Sequence, residues 1–185
     1  MAYVNLNVLY DCEFGVPLDT DGNEVRNLDG WNMIDSMSSY NLRDKLENQT
    51  VVMFSVIGTF RDNIRINEFN TYVDDLKAAG ADRVICHIVA DPYQTYAWAA
   101  HLNMPGIEFI ADGNGYLALR MGMLFHATNE DSNLRVWGYD AVIENGIATY
   151  WNQLPGLPLD DPDENINLGV VTHDVAPVLS FLQAT

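Results

Sequence analysis

The sequence predicts an α/β fold: a mixed sheet carrying helices on both faces, with extra strands at its N-terminal end. Three observations predict it. Val51, Val52, Met53, Phe54 and Val56 form a near-continuous apolar run, as a strand covered on both faces requires. That run and a second one, residues 83–90, each lead through a turn into a helical pattern, the strand–helix alternation of a layered sheet. Asn145-Gly146 then separates two further strand-like runs and marks an antiparallel hairpin.

The elements follow in order. Residues 3–10 set Tyr3, Asn5 and Asn7 against Val4, Leu6, Val8 and Leu9, an edge-strand pattern. Residues 19–23, Asp-Thr-Asp-Gly-Asn, form a turn between two short extended pieces. Their acidic spacing is unlike a calcium loop, since glycine falls fourth and no glutamate falls twelfth. Ser38 or Ser39 is expected to cap a short helix over 41–46. The central strand spans 51–57, Gly58 turns the chain, and Asp62 or Asn63 caps a helix running to about Ala79. Ile66, Phe69, Val73 and Leu76 share its apolar face, with Arg65, Asn67, Asn70 and Asp74 expected outward.

Strand 83–90 ends at Asp91-Pro92, cap and first position of the next helix. A third strand covers 107–110, and residues 111–115 turn into a short helix over 116–121. Residues 135–144 and 147–151 form the hairpin. Residues 154–169 read as a surface loop with the acidic cluster Asp160, Asp161, Asp163 and Glu164. A last helix runs from about Thr172 or His173 to Leu182. Neither a repeat nor a second domain is visible, so one domain over 1–185 is expected.

Composition bounds the function. Twenty-six acidic residues against nine basic give a formal charge of −17, which repels phosphate backbones and anionic lipid. Nucleic acid and membrane surfaces are therefore excluded as general partners. The N-terminal residues lack the basic and apolar regions of a signal peptide, and no run is long enough to span a bilayer, so a cytoplasmic protein is expected. Asn48-Gln-Thr50 is a glycosylation sequon without a secretion signal to give it use. Two cysteines make no disulfide framework, and with scattered histidines they make no metal-ligand pattern. No metal and no cofactor are expected.

The strand and helix order is thioredoxin-like. Within it, four stretches carry a family resemblance: residues 52–60 (Val-Met-Phe-Ser-Val-Ile-Gly-Thr-Phe), 84–98 with Ala90-Asp-Pro-Tyr and Trp98, 107–115 with Ala111-Asp-Gly, and 141–148 with Asn145-Gly146. In this order the chain resembles a peroxiredoxin of the redoxin branch, peroxiredoxin-five-like in type, over about residues 45 to 150. The resemblance implies a thiolate on the first turn of the helix after the central strand, attacking a peroxide O–O bond. A threonine and an arginine from the hairpin strand would hold the peroxide and stabilise the thiolate. Laid on this chain, the motif's proline position is Ile57, its threonine Arg61, its second proline Asp62, its cysteine Ile64 and its arginine Gly138. Gly58 and Phe60 are retained. The family's catalytic positions are thus all replaced.

Phe60, Arg61, Asp62 and Ile64 remain as candidate cleft residues. Arg61, Asp62 and Arg65 make either an exposed ion-paired cluster or the lining of a pocket where the family has its active site. Cys86, amid Ile85, Ile88 and Val89, reads as a buried structural thiol. Cys12, between Asp11 and Glu13, has neighbours that disfavour its thiolate. His87 is expected to be packed or hydrogen-bonded, and His101, His126 and His173 show no ligand spacing. Two functions remain: a non-catalytic binding or assembly protein, or a thiol-dependent oxidoreductase using Cys12 or Cys86 in altered geometry. The resemblance further implies a homodimer near the old active site. Phe60 and Tyr93 are expected near the contact, with Tyr96 and Trp98 as further surface candidates or, for Trp98 above all, sheet-packing residues.

Overall fold

In a computed structural model, the described residues are 12–22, 24, 34–58, 63–126, 134–153 and 174–185. The predicted strand 3–10, Phe60, Arg61, Asp62, His173 and the acidic loop cluster lie outside them. Among the described residues the elements are β1 (Glu13–Asp19), β2 (Ile34–Asn41), α1 (Arg43–Leu46), β3 (Thr50–Ser55), α2 (Asn63–Thr71), α3 (Val73–Ala78), β4 (Arg83–Ile88), α4 (Pro92–Leu102), β5 (Glu108–Ala111), α5 (Tyr116–Arg120), β6 (Leu124–His126), β7 (Leu134–Val136), β8 (Tyr139–Glu144), β9 (Ile147–Gln153) and α6 (Ala176–Gln183).

The five-stranded sheet has the order β5-β4-β3-β8-β9, so the apolar run is central, as predicted. β4 lies parallel to β3 and β5 parallel to β4, while β8 and β9 are antiparallel to their neighbours. Side chains alternate between two cores, which is why the strand reads as continuously apolar. Val51 and Met53 join Leu42, Leu46, Leu117, Phe125 and Tyr139 on one side. Val52 and Phe54 join Ile66, Phe69, Leu76, Trp98 and Leu182 on the other. Phe54 and Phe69 stack at 3.8 Å between ring centroids. Edge strand β5 is tied inward by Glu108, which takes Lys45 at 2.5 Å and Arg83 at 2.6 Å.

Local chemistry accounts for several element ends. Asp91 caps α4 by accepting from the Gln94 amide. Asn145 and Gly146 both have positive φ, 48° and 79°, the backbone of a two-residue turn whose twist matches the strands. The Asp19 carboxylate accepts from the Asp21 amide, the Gly22 amide donates back to Asp19, and Leu18 bridges Glu24, so the N-terminal turn is found as predicted.

Five expectations need correction. Ser38 and Ser39 lie in β2, paired with β1, and cap nothing; α1 follows Leu42, and Asp44 reaches back to the Asn41 amide at 3.0 Å. The single helix expected to Ala79 is two, broken at Tyr72. Thr71 Oγ1 donates to the Asn67 carbonyl at 2.8 Å, a back-bond that bends helices. Residues 135–144 are not one strand. β7 pairs with β6 in a small separate sheet, and Trp137-Gly138 carries the chain to β8. The last helix starts only at Ala176, where Asp174 Oδ1 and Glu68 Oε1 take the amides of Ala176 and Val175. Finally, Arg65 is not outward but 3% exposed. It stands four residues before Phe69, on the same helical stripe.

Candidate functional site

β3 ends where α2 begins, and β8 runs alongside. Ser55 joins the two strands: its hydroxyl donates to the Trp137 carbonyl at 2.8 Å and accepts from the Tyr139 amide at 2.9 Å. Gly138 is therefore held between two residues clamped to one side chain, and it is buried. Ile57, two residues past Ser55, is buried against the same core as Trp137 and Tyr139. From the other side, the Arg65 guanidinium donates to the Tyr139 carbonyl at 2.6 Å and to the carboxylate of Asp140. Ile57, the first turn of α2 and Gly138 thus converge. At this convergence Ile64 points outward, 64% exposed.

The charge of Arg65 is neutralised here. Asp140 is fully buried and also accepts from Asn152 Nδ2 at 3.2 Å. The guanidinium lies 6.0 and 5.9 Å from the Phe54 and Phe69 rings, and its Nε makes no hydrogen bond among the described residues. A cation held this way locks α2 to β8; its charge is spent on Asp140 rather than offered to a ligand. The exposed ion-paired cluster expected of Arg61, Asp62 and Arg65 is therefore not found for Arg65, which is buried and pairs with Asp140, while Arg61 and Asp62 lie outside the described residues.

On the opposite face of the sheet lies a second buried polar group that sequence reading only half anticipated. His87 is packed and hydrogen-bonded as expected, and fully buried. Its Nδ1 is 2.8 Å from the Tyr139 hydroxyl and its Nε2 is 3.3 Å from Asp112 Oδ2. Asp112 also accepts from the Ala118 amide at 2.9 Å, so it anchors the first turn of α5. Burial pushes the Asp112 carboxyl up, but the His87 hydrogen bond and charge and the amides of Ala118 and Leu117 outweigh it and hold it below the ordinary value. Burial raises the Tyr139 phenol well above its ordinary value, with Cys86 and Asp112 adding to the effect.

Cys12 is 1% and Cys86 0% exposed, the latter as expected of a structural thiol. Tyr96 and Trp98 are buried at 1% and 0%, so they are not surface candidates; Tyr93 is 49% exposed. Two of the remaining histidines, His101 and His126, are exposed and far apart in sequence, and among the described residues no group of three or more His, Cys, Asp or Glu side chains is placed to hold a metal. No described helix is long and apolar enough to cross a membrane.

The residues that sequence reading missed are Ser55, Asp112, Asp140 and Asn152. Asp140 was detectable: an acid inside the apolar run of β8 must be paired if both faces of the sheet are covered.

Comparison with known proteins bears on this geometry. The Redoxin family profile matches residues 20–165. The chain is 30% identical over 117 residues to a peroxiredoxin of Rhizobium etli, covering 62% of this chain and 65% of that protein. It is 30% identical over 143 residues to the hybrid peroxiredoxin hyPrx5 of Haemophilus influenzae, covering 73% and 59%. The chain thus spans less than two thirds of the length of these relatives. Among solved structures it resembles the Plasmodium falciparum antioxidant protein, a 1-Cys peroxiredoxin, with TM-score 0.73, 20% identity and coverage of 94% and 96%. Reduced Prx3 of Vibrio vulnificus in complex with hydrogen peroxide gives TM-score 0.70, 21% identity and coverage of 94% and 95%. At these identities the structural likeness speaks for the fold.

Proposed function

Because the chain belongs to the Redoxin family and has the thioredoxin-like fold of peroxiredoxins, we propose that it keeps the family's scaffold without its thiol peroxidase chemistry and acts as a non-catalytic binding or assembly protein. The observation that carries this reading is Ile64, an aliphatic side chain on the first turn of α2 where the family's motif puts its thiolate. An isoleucine has no lone pair with which to attack a peroxide oxygen. Gly138 stands at the arginine position and offers no donor beyond its backbone. Ile57 fills the proline position with an apolar side chain buried against Trp137 and Tyr139.

The exposed Ile64, together with Phe60, Arg61 and Asp62 beside it in sequence, is the surface proposed for binding. One domain over 1–185 and a homodimer near this surface are the organisation proposed with it. The other reading, an oxidoreductase using Cys12 or Cys86, is disfavoured by the burial of both thiols, since a nucleophilic cysteine needs access and a stabilised thiolate.

Thiol accessibility tests the proposal. Both cysteines should react slowly with an aromatic disulfide reagent in the native state and rapidly after denaturation. A thiol reacting at full speed in the native protein would return the oxidoreductase reading. Ile64→Cys alone should gain little peroxidase activity, because positions 61 and 138 still lack the threonine and arginine.

A further inference from the structure

The buried group Asp112–His87–Tyr139 has no part in the reading above, and one more residue adjoins it. The half-buried Trp151 of β9 stacks on the Tyr139 ring, centroids 4.7 Å apart and planes 10° from parallel. We propose that Trp151, Tyr139, His87 and Asp112 form a one-electron relay, in which an oxidising equivalent entering at Trp151 comes to rest on Tyr139 as a neutral phenoxyl radical.

The protonation states follow from satisfying every donor. The Tyr139 hydroxyl is buried, and its partner among the described residues is His87 Nδ1. A buried O–H needs an acceptor, so Nδ1 carries the lone pair. The ring proton is then on Nε2, facing the Asp112 carboxylate. Asp112 stays ionised, held by His87 and by the Ala118 amide. The relay runs from the array in which His87 is neutral: a phenol, an imidazole and a carboxylate.

Oxidising a buried phenol without removing its proton would leave a radical cation in a low-dielectric core, which is costly. Here the proton has a base at 2.8 Å. An outer-sphere metal-complex oxidant, here ruthenium(III) polypyridyl, takes one electron from the Trp151 indole and becomes ruthenium(II). The indole radical cation takes one electron from Tyr139 through the stacked rings, while the phenolic proton moves to His87 Nδ1. The products are the reduced oxidant, neutral Trp151, a neutral Tyr139 phenoxyl, an imidazolium at His87 and an unchanged Asp112 carboxylate. One electron leaves and no atom is lost. The new positive charge on His87 sits beside the carboxylate, so the oxidised array is better neutralised than the resting one. Burial of Tyr139 at 0% exposure shields the radical from solvent.

The test uses flash-photolysed ruthenium(III) polypyridyl as the oxidant and electron paramagnetic resonance as the readout. The wild-type protein should give a tyrosyl signal, and a fluorotyrosine placed at position 139 should change its hyperfine pattern. Tyr139→Phe should lose the signal, and Trp151→Phe should slow its appearance. No tyrosyl radical in the wild type, a signal that survives Tyr139→Phe, or a hyperfine pattern indifferent to the fluorotyrosine overturns the proposal. So does a signal that forms as fast in Trp151→Phe as in the wild type. The fluorotyrosine variant keeps the hydroxyl and the ring, so the test stands even if Tyr139→Phe fails to fold.

Discussion

At the scale of single residues, two buried polar arrays stand out among the described residues, one on each face of the sheet. The array around His87 makes two predictions through its proton equilibria. The Asp112 carboxyl is held below its ordinary value of 3.8. Above that value the carboxylate is ionised in both native and unfolded chains, and its stabilising contacts count in full. As pH falls through 3.8 and then through the lower native value, the unfolded chain takes up the proton first, and that stability is lost. Denaturant midpoints from pH 5 downward should therefore fall more steeply for the wild type than for Asp112→Asn; parallel curves would show that Asp112 carries no such linkage. Tyr139 runs the other way. Its raised phenol contributes stability below the ordinary value of 10.0, lost as pH climbs beyond it. In an alkaline absorbance titration, one phenolate of the wild type should appear only with unfolding, and that late component should be missing from Tyr139→Phe.

At the scale of elements, the anchoring of α2 on β8 is the feature that shapes the site. Arg65 and Asp140 are 3% and 0% exposed, so removing one partner strands a buried charge. Asp140→Ala should cost about 3–5 kcal/mol of unfolding free energy, whereas a double change to apolar residues of similar volume, Arg65→Met with Asp140→Leu, should recover most of it. Equal losses in single and double variants would show that the pair is not the anchor. The same elements show what sequence could disclose. β3 was legible because both its faces meet apolar layers, leaving no polar alternation to obscure it. The β8–β9 hairpin was legible because Asn145-Gly146 demands one turn type. β2 was not, because Ser36, Ser38 and Ser39 break any two-residue apolar period, and three-residue β6 is too short to have one. The pair that locks α2 was hidden for a different reason: its partners are 75 residues apart, and only tertiary pairing makes Arg65 an inward residue. Ile57, Ile64 and Gly138, which we propose stand at the family's catalytic positions, were legible only through family resemblance, since nothing in their own chemistry marks a site.

At the scale of the whole molecule, charge and exposed apolar surface oppose each other. A formal charge of −17 disfavours self-association, and screening confines that repulsion to about 10 Å at 0.1 M salt. Ile64 and Tyr93 are exposed at 64% and 49%, each in the opening turn of its helix, and the proposed homodimer would bury them. Light scattering across a salt series should show association that strengthens as salt rises; a monomer at every ionic strength and at high protein concentration rules the dimer out.

The central claim concerns chemistry, and turnover addresses it most directly. Hydrogen peroxide consumption with a dithiol reductant should be the same for the wild-type chain and for a cysteine-free variant, Cys12→Ser with Cys86→Ser, because neither thiol stands at the first turn of α2 and Ile64 cannot replace one. A wild-type rate well above that of the cysteine-free protein would contradict the account and place a working thiol on this scaffold.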